Sequence, residues 1–278
     1  MLGIGPRGVA AMTSAVLAMA VVVVVGGCSA GSDGSVRANA GASSVALEPA
    51  LTHLHGLHVT PGRTLLAGTH TGLFSIDPAT GATARVGDSD DDLMGLTGVA
   101  GSDTLFASGH PGRSSAAPNP LGLRSSVDGG RSWTDRSLRG QVDFHTLTTG
   151  GDILVGFDGA TGLRVSSDGG ATWHPGAALV ARSLATTATG VWAVTANGLA
   201  HSTDGARSFT PAPGAPSLVM IAGATRALWG IDDDGYTWRS PDGAAWQQGA
   251  YVGPADAIVA VNDSTAYAAT DTALRMLS

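Results

Sequence analysis

The sequence predicts an all-β fold, a six-bladed β-propeller with four-stranded antiparallel blades. Three observations predict it. An eight-residue motif returns at nearly regular spacing, short apolar runs fill the chain between its copies, and helix signals are almost absent. Glycine (41 residues) and proline (13 residues) separate those runs, which is typical of an all-β chain. A repeat period of about 40 residues indicates a propeller or another repeat array.

The repeated motif reads Ser-x-Asp-x-Gly-x-(Ser/Thr)-Trp, and we call it the aspartate box. Two copies are complete, at 126–133 and 166–173, and two are degenerate, around Asp204 and Asp242. Asp and Ser side chains bond backbone N–H groups in turns, and Gly adopts conformations that other residues avoid. We therefore expect a structural role for the box residues, which are Ser126, Asp128, Gly130, Trp133, Ser166, Asp168, Gly170, Trp173, Asp204 and Asp242.

The apolar runs group into six units, each with a first strand, a second strand, a polar loop and a third strand that begins near Gly-Leu. The sixth unit ends before a fourth strand. Segment 44–47 precedes the first unit and belongs to none, so we expect it to supply the missing strand and close the ring. Closure removes exposed sheet edges. Seven blades would need a unit that we do not find in the sequence.

The chain before the propeller divides into two segments. Residues 1–27 carry one charge, Arg7, followed by an apolar run and two glycines, a pattern typical of a secretory signal. The sequence Val25-Gly26-Gly27-Cys28 resembles a bacterial lipobox. The resemblance implies cleavage before Cys28, its lipidation with fatty acids such as palmitate, and anchoring to the outer face of the cytoplasmic membrane. A plain N-terminal membrane anchor is the alternative. Residues 28–43 predict a flexible tether, and 44–278 form the propeller domain.

Composition limits the partners. The chain has 15 Lys and Arg against 22 Asp and Glu, a formal net charge of −7, and no lysine. Nucleic-acid binding depends on basic surfaces, so we expect none. Cys28 is the single cysteine, so no disulfide can form within the chain. We expect a monomer.

The candidate site residues are histidines and a methionine in the first three units. His55, Met94 and His145 take equivalent positions in the first strands, and His70 and His110 match each other in the loops that follow the second strands. In a propeller both places lie at the end of the ring opposite the aspartate boxes, which we call the histidine mouth. We expect six candidate metal ligands there: His53, His55, His70, His110, His145 and Met94.

Imidazoles beside a thioether suit a transition metal, with copper favoured by the soft sulfur and zinc as the other candidate. No other cofactor is implied. The alternative is that these side chains only bond backbone groups and pack the channel wall. Loop 108–120 is long for a hairpin, and it either covers the mouth or is an irregular insertion. The acidic turn 88–92 lacks the Gly and Glu of a calcium loop, so we expect a solvated turn.

The aspartate boxes resemble those of bacterial sialidases and other BNR/Asp-box propellers. The resemblance implies the fold and raises the possibility of a glycoside hydrolase. Sialidases use a tyrosine nucleophile and an arginine triad, whereas the three tyrosines here lie in the last two units and Arg182 is the one arginine that we place facing the channel. The segments around His53, His70, His110 and His145 resemble more closely a group of exported bacterial propeller proteins labelled glycosylhydrolase-like.

Together these observations favour a binding protein over an enzyme. We expect a cell-envelope lipoprotein whose propeller binds a ligand at the histidine mouth, with a copper or zinc ion as the leading candidate. A sialidase-like exo-glycoside hydrolase acting on a glycan is one alternative. A scaffold that binds another envelope protein is the second.

Overall fold

The computed structural model describes residues 43–160 and 162–278. Residues 1–27, the tether as far as 42, and Cys28 lie outside the described residues. The described chain forms six four-stranded antiparallel sheets arranged as the blades of a propeller, which confirms the predicted fold. Within it, no helix is long and apolar enough to cross a membrane.

The 24 strands follow one another with the same order in every blade. β1 (Ser44–Ala46) comes first in the chain and completes the last blade. Blade 1 contains β2 (Leu54–Val59), β3 (Leu65–Thr69), β4 (Gly72–Ile76) and β5 (Thr83–Val86). Blade 2 contains β6 (Asp92–Gly98), β7 (Leu105–His110), β8 (Leu123–Ser126) and β9 (Thr134–Ser137). Blade 3 contains β10 (Thr146–Gly150), β11 (Ile153–Phe157), β12 (Leu163–Ser166) and β13 (His174–Pro175).

The second half repeats the pattern. Blade 4 contains β14 (Ser183–Thr187), β15 (Gly190–Thr195), β16 (Gly198–Ser202) and β17 (Thr210–Pro211). Blade 5 contains β18 (Leu218–Gly223), β19 (Leu228–Asp232), β20 (Tyr236–Ser240) and β21 (Gln247–Tyr251). Blade 6 contains β22 (Ala257–Asn262), β23 (Thr265–Ala269) and β24 (Ala273–Leu277), and β1 is its fourth strand.

The ring is closed as the sequence predicts. β1 pairs antiparallel with β24, with Val45 opposite Leu274. The next residue after β1, Leu47, is 3% exposed and belongs to a core cluster that contains residues of blades 1 and 6. Closure therefore joins the first and last blades by both hydrogen bonds and apolar packing.

One apolar residue on each inner strand marks equivalent positions around the channel. Leu57 pairs with Ala67, Leu96 with Ala107, and Leu147 with Gly156. The corresponding residues of the other three blades are Leu184, Ile221 and Ile258. We call these six residues the aliphatic ring. Counting from the ring residue of each inner strand identifies equivalent positions in different blades.

The aspartate boxes lie between the third and fourth strands, at the end opposite the histidine mouth. In the first box, Gly130 N–H donates to Ser126 Oγ at 2.8 Å, and Ser132 donates to Asp128 through its N–H (3.0 Å) and hydroxyl (2.6 Å). These hydrogen bonds favour the charged carboxylate and lower the pKa of Asp128 to about 2. In every box with this pattern, the carboxylate accepts hydrogen bonds from residues of its own turn.

The channel contains a cavity of about 740 Å³. Its lining begins at the aliphatic ring and continues through the residues that follow it on each inner strand, such as Thr97, Thr148 and Thr186. None of the six candidate ligands lines it. The cavity therefore opens toward the aspartate-box end, and the histidine mouth is a separate surface feature.

Candidate functional site

The candidate ligands occupy fixed positions relative to the aliphatic ring. His55, Met94 and His145 lie two residues before Leu57, Leu96 and Leu147, and the loop histidines lie three residues after the ring residues' partners on β3 and β7. All therefore lie at the histidine mouth. The hydrogen bonds and ion pairs that join them form two groups rather than one, and an aspartate stands at the centre of each.

The first mouth group consists of His55, His70 and Asp92. One ligand atom from each residue lies within 4.8 Å of the others, and no other set of His, Cys, Asp and Glu residues in the described chain is as compact. Asp92 Oδ2 accepts from His70 Nδ1 at 2.6 Å, and Asp92 Oδ1 lies 3.4 Å from His55 Nε2. The histidines come from blade 1 and the carboxylate from blade 2, so the group spans a blade interface.

Local irregularities of the strands aim these side chains. The pairing register shifts between Leu54 and Gly56 in blade 1 and between Asp92 and Gly95 in blade 2. Both shifts are β-bulges, which bend a strand and redirect its side chains, often next to functional sites. His55 and Asp92 lie at these two bulges, and the redirected side chains meet across the interface.

Burial leaves two polar atoms of the first mouth group unsatisfied. His55 Nε2 and Asp92 Oδ1 are both buried, and neither has a hydrogen-bond partner. Burial also lowers the pKa of His55, and this exceeds the opposing effect of the nearby Asp92 charge, because desolvation disfavours the imidazolium. Burial therefore favours the neutral form of His55, which is the form that binds metals.

His53 lies next to this group without joining it. Its ring centroid is 4.6 Å from that of His70 and 6.4 Å from that of His55. The residue precedes β2 and has a φ of 49°, so the strand alternation that would place it on the same face as His55 does not apply. Its side chain is exposed.

The second mouth group consists of His110, Asp143 and His145. Asp143 Oδ2 lies 3.2 Å from His110 Nε2 and 3.1 Å from His145 Nε2, and the other nitrogen of His110 is 2.7 Å from Asn119 Oδ1. Asp143 Oδ1 is buried without a hydrogen-bond partner. The two histidine side chains are 42% and 54% exposed, so this group is open to solvent.

Met94 enters none of the hydrogen bonds or ion pairs that define the two groups. It lies at the blade 2 bulge, two residues after Asp92, and is half-buried. Its place in the repeat nevertheless equals that of His55, because each precedes its ring residue by two positions.

The loop 108–120 is held against the acidic turn. Gly112 N–H donates to Asp91 Oδ1 at 2.9 Å, and Ser114 N–H donates to Asp90 Oδ2 at 3.2 Å. Asp91 is 2% exposed and forms an ion pair with Arg124. The expectation of a solvated turn is therefore wrong for Asp91, because the loop and Arg124 bury it. The loop is ordered, and it carries His110 and Asn119.

The arginine triad expected of a sialidase is not repeated at the inner-strand positions of the described chain. Arg182 is exposed two residues before Leu184, at the position of His55 in its blade. The tyrosines of blade 5, Tyr236 and Tyr251, contact each other with ring centroids 5.3 Å apart. No further arginine of the described chain takes the Arg182 position in another blade.

Sequence reasoning did not assign the central role to Asp92 and Asp143. Both aspartates take the position of His53 in their blades, but His55, His70 and His110, which contact them, come from the preceding blade. Asn119 could not be found because only the fold of the loop brings it to His110. These contacts depend on blade packing, which the pattern of residues does not encode.

No family model and no curated protein matches the sequence. Solved structures do match. YCF48 bound to D1 peptide superposes with a TM-score of 0.55 at 14% identity, covering 85% of this chain and 96% of that chain. U3-55K gives 0.57 at 9%, covering 84% and 98%, and the GH74 enzyme of Niastella koreensis gives 0.53 at 15%, covering 82% and 42%. These structures are β-propellers, and at such identities the likeness shows the fold alone.

Proposed function

We propose that the propeller binds a divalent transition-metal ion at the first mouth group. The observation that carries this is the pair of buried, unpartnered atoms, His55 Nε2 and Asp92 Oδ1, which lie 3.4 Å apart. Buried polar groups are normally satisfied, and leaving them unpaired costs free energy. Two ligands each about 2.1 Å from a tetrahedral ion lie ~3.4 Å from each other. A cation between the two atoms would satisfy both.

The third ligand is supplied by His70. Its Nδ1 lies 2.6 Å from Asp92 Oδ2, and in the proposed site this nitrogen binds the ion in place of that contact. Two imidazole nitrogens and a carboxylate oxygen suit Zn²⁺ or Cu²⁺. Three protein ligands leave one coordination position open, and the 39% exposure of the His70 side chain gives solvent access to it. The arrangement supports binding of an exchangeable ion or an ion that holds a further ligand.

The test is metal content. The full chain, purified in detergent, is loaded with Zn²⁺ or Cu²⁺, desalted and measured by elemental analysis. We expect one Zn²⁺ per chain at this group, and loss of that ion in His55→Ala and Asp92→Asn. His174→Ala is the matched control, because His174 is exposed on an outer strand of blade 3. Absence of stoichiometric metal in the wild-type chain, or equal retention in all variants, would refute the proposal.

We further propose that the protein is a lipoprotein of the cell envelope, anchored through Cys28. This proposal is supported by the apolar N-terminal run and the Gly-Gly-Cys sequence. Incorporation of labelled palmitate in the native host, lost in Cys28→Ser, tests it. Labelling that persists in the variant would contradict it.

A scaffold function is the second candidate. The end of the ring that carries the histidines also exposes Val180 (63%), between blades 3 and 4, and Tyr251 (53%) on blade 5. A structural neighbour is described as bound to a peptide. A pulldown from envelope extract with wild-type chain and a Val180→Asp and Tyr251→Asp double variant tests it.

The sialidase alternative predicts turnover of a fluorogenic sialoside that is lost in Arg182→Ala. The lone arginine at this position weighs against it.

A further inference from the structure

We infer that the second mouth group is a second metal site, repeat-related to the first, and that Met94 makes it selective for Cu⁺. The inference deepens the proposed function, because it rests on the same mouth holding metal ions. Its first support is the relation between the two groups in the repeat.

The contact that builds the first group recurs one blade further on. His70, directly after β3, contacts Asp92 of the next blade, and His110, the last residue of β7, contacts Asp143 of the next blade. Both histidines are three residues beyond the partner of a ring residue, and both aspartates are four residues before a ring residue. A rotation of one blade therefore maps His70 and Asp92 onto His110 and Asp143.

The same rotation maps His55 onto Met94. In the first group His55 faces the aspartate of the next blade, and Met94 takes the same repeat position relative to Asp143. The second site is thus composed of a thioether, the imidazole of His110 and a carboxylate, with His145 added from blade 3. Thioether sulfur is a soft ligand that favours Cu⁺, whereas the first group has only nitrogen and oxygen donors.

Two features of the second group suit a bound cation. Asp143 Oδ1 is buried with no hydrogen-bond partner. With the Nδ1–H of His110 donated to Asn119 Oδ1, the Nε2 lone pair is directed toward Asp143 Oδ2 at 3.2 Å. Two lone pairs facing each other require a proton or a metal ion between them. An ion bound by Nε2 and the carboxylate would satisfy both atoms.

The two histidine side chains of the second mouth group are exposed, so they can rotate toward a bound ion. The side chains of His110 and His145 are 42% and 54% exposed, and each already contacts the same carboxylate oxygen. The loop that follows His110 is held by hydrogen bonds from Gly112 to Asp91 and from Ser114 to Asp90.

The experiment uses two metals on the full chain in detergent. Cu⁺ is supplied under anaerobic conditions with ascorbate, Zn²⁺ is supplied separately, and affinities come from competition with a chromophoric chelator. We expect Met94→Leu to weaken Cu⁺ binding at least about tenfold while Zn²⁺ binding is unchanged. We expect His70→Ala to remove Zn²⁺ and leave the Met94-dependent Cu⁺ site. Cys28→Ser is the control, since it removes the single thiol of the chain.

The outcomes separate the two proposals. Zn²⁺ binding without a Met94-dependent Cu⁺ site would overturn the second site and leave the first. Cu⁺ binding that depends on Met94, with no Zn²⁺ bound by the wild type, would overturn the first and leave the second. A sulfur ligand to copper in X-ray absorption, lost in Met94→Leu and kept in Cys28→Ser, is the direct signature. Its persistence in Met94→Leu would refute the assignment of the ligand.

Discussion

The hydroxyl of Ser108 links blades 2 and 3 beneath the second mouth group, and its removal has a calculable cost. Phe144 N–H donates to Ser108 Oγ at 2.8 Å, and both residues are fully buried. In Ser108→Ala this N–H loses its acceptor where water has no access. A buried unsatisfied donor costs about 1–3 kcal/mol. For a domain of this size each kcal/mol lowers Tm by roughly 2–4 °C, so a central value of about 2 kcal/mol lowers it by about 4–8 °C.

Calorimetry and urea unfolding measure this change. Ser217→Ala is the matched control, because Ser217 is exposed at the same end of blade 5 and should change stability by less than about 0.5 kcal/mol. Phe144 lies between Asp143 and His145 in the chain, so Ser108→Ala should also weaken metal binding at the second mouth group more than at the first. A Tm within about 1 °C of the wild type would refute the reasoning, since the N–H would then have found another acceptor.

Two further predictions concern the ring and the aspartate boxes. Leu47→Ala should lower the free energy of unfolding by about 2–5 kcal/mol in urea titrations, because Leu47 is 3% exposed in the core that joins the first and last blades; an unchanged unfolding midpoint would contradict closure by this segment. Asp128 has a folded-state pKa of about 2, below the unfolded value of ~3.9. Its stabilising contribution is therefore present above about pH 4 and is lost as the pH falls toward 2. Asp128→Asn should be less stable than the wild type at pH 6 and should lose less stability over that interval, and parallel pH profiles for the two proteins would contradict this.

The fold could be predicted because its signals are local and repeated. The spacing of the aspartate boxes and the missing fourth strand of the last unit together fix six blades and the role of segment 44–47. Each of these features is read from neighbouring residues in the chain. The number of blades and the closing strand can therefore be predicted without knowing how neighbouring blades pack.

The site could be predicted only in part, because its contacts cross blade interfaces. The sequence places the candidate histidines at one mouth, but the β-bulges at His55 and at Met94 decide which atoms meet. A bulge adds one residue to one strand of a pair. A glycine, Gly56 or Gly95, follows each bulge, but it does not specify which side chains meet across the interface. The φ of 49° at His53 is equally invisible in the sequence, and it takes that histidine out of the alternation of the strand.

The carboxylates at the two ends of the ring explain why a ligand is expected at one end. At the box end, Asp128 accepts hydrogen bonds from Ser126 and Ser132, so both of its oxygens are in use. At the histidine mouth, Asp92 and Asp143 each keep one buried oxygen without a partner. The side chains are chemically identical, but a buried carboxylate oxygen without a hydrogen bond costs free energy. A bound cation, as proposed above, would offset that cost at the two carboxylates that have imidazoles beside them.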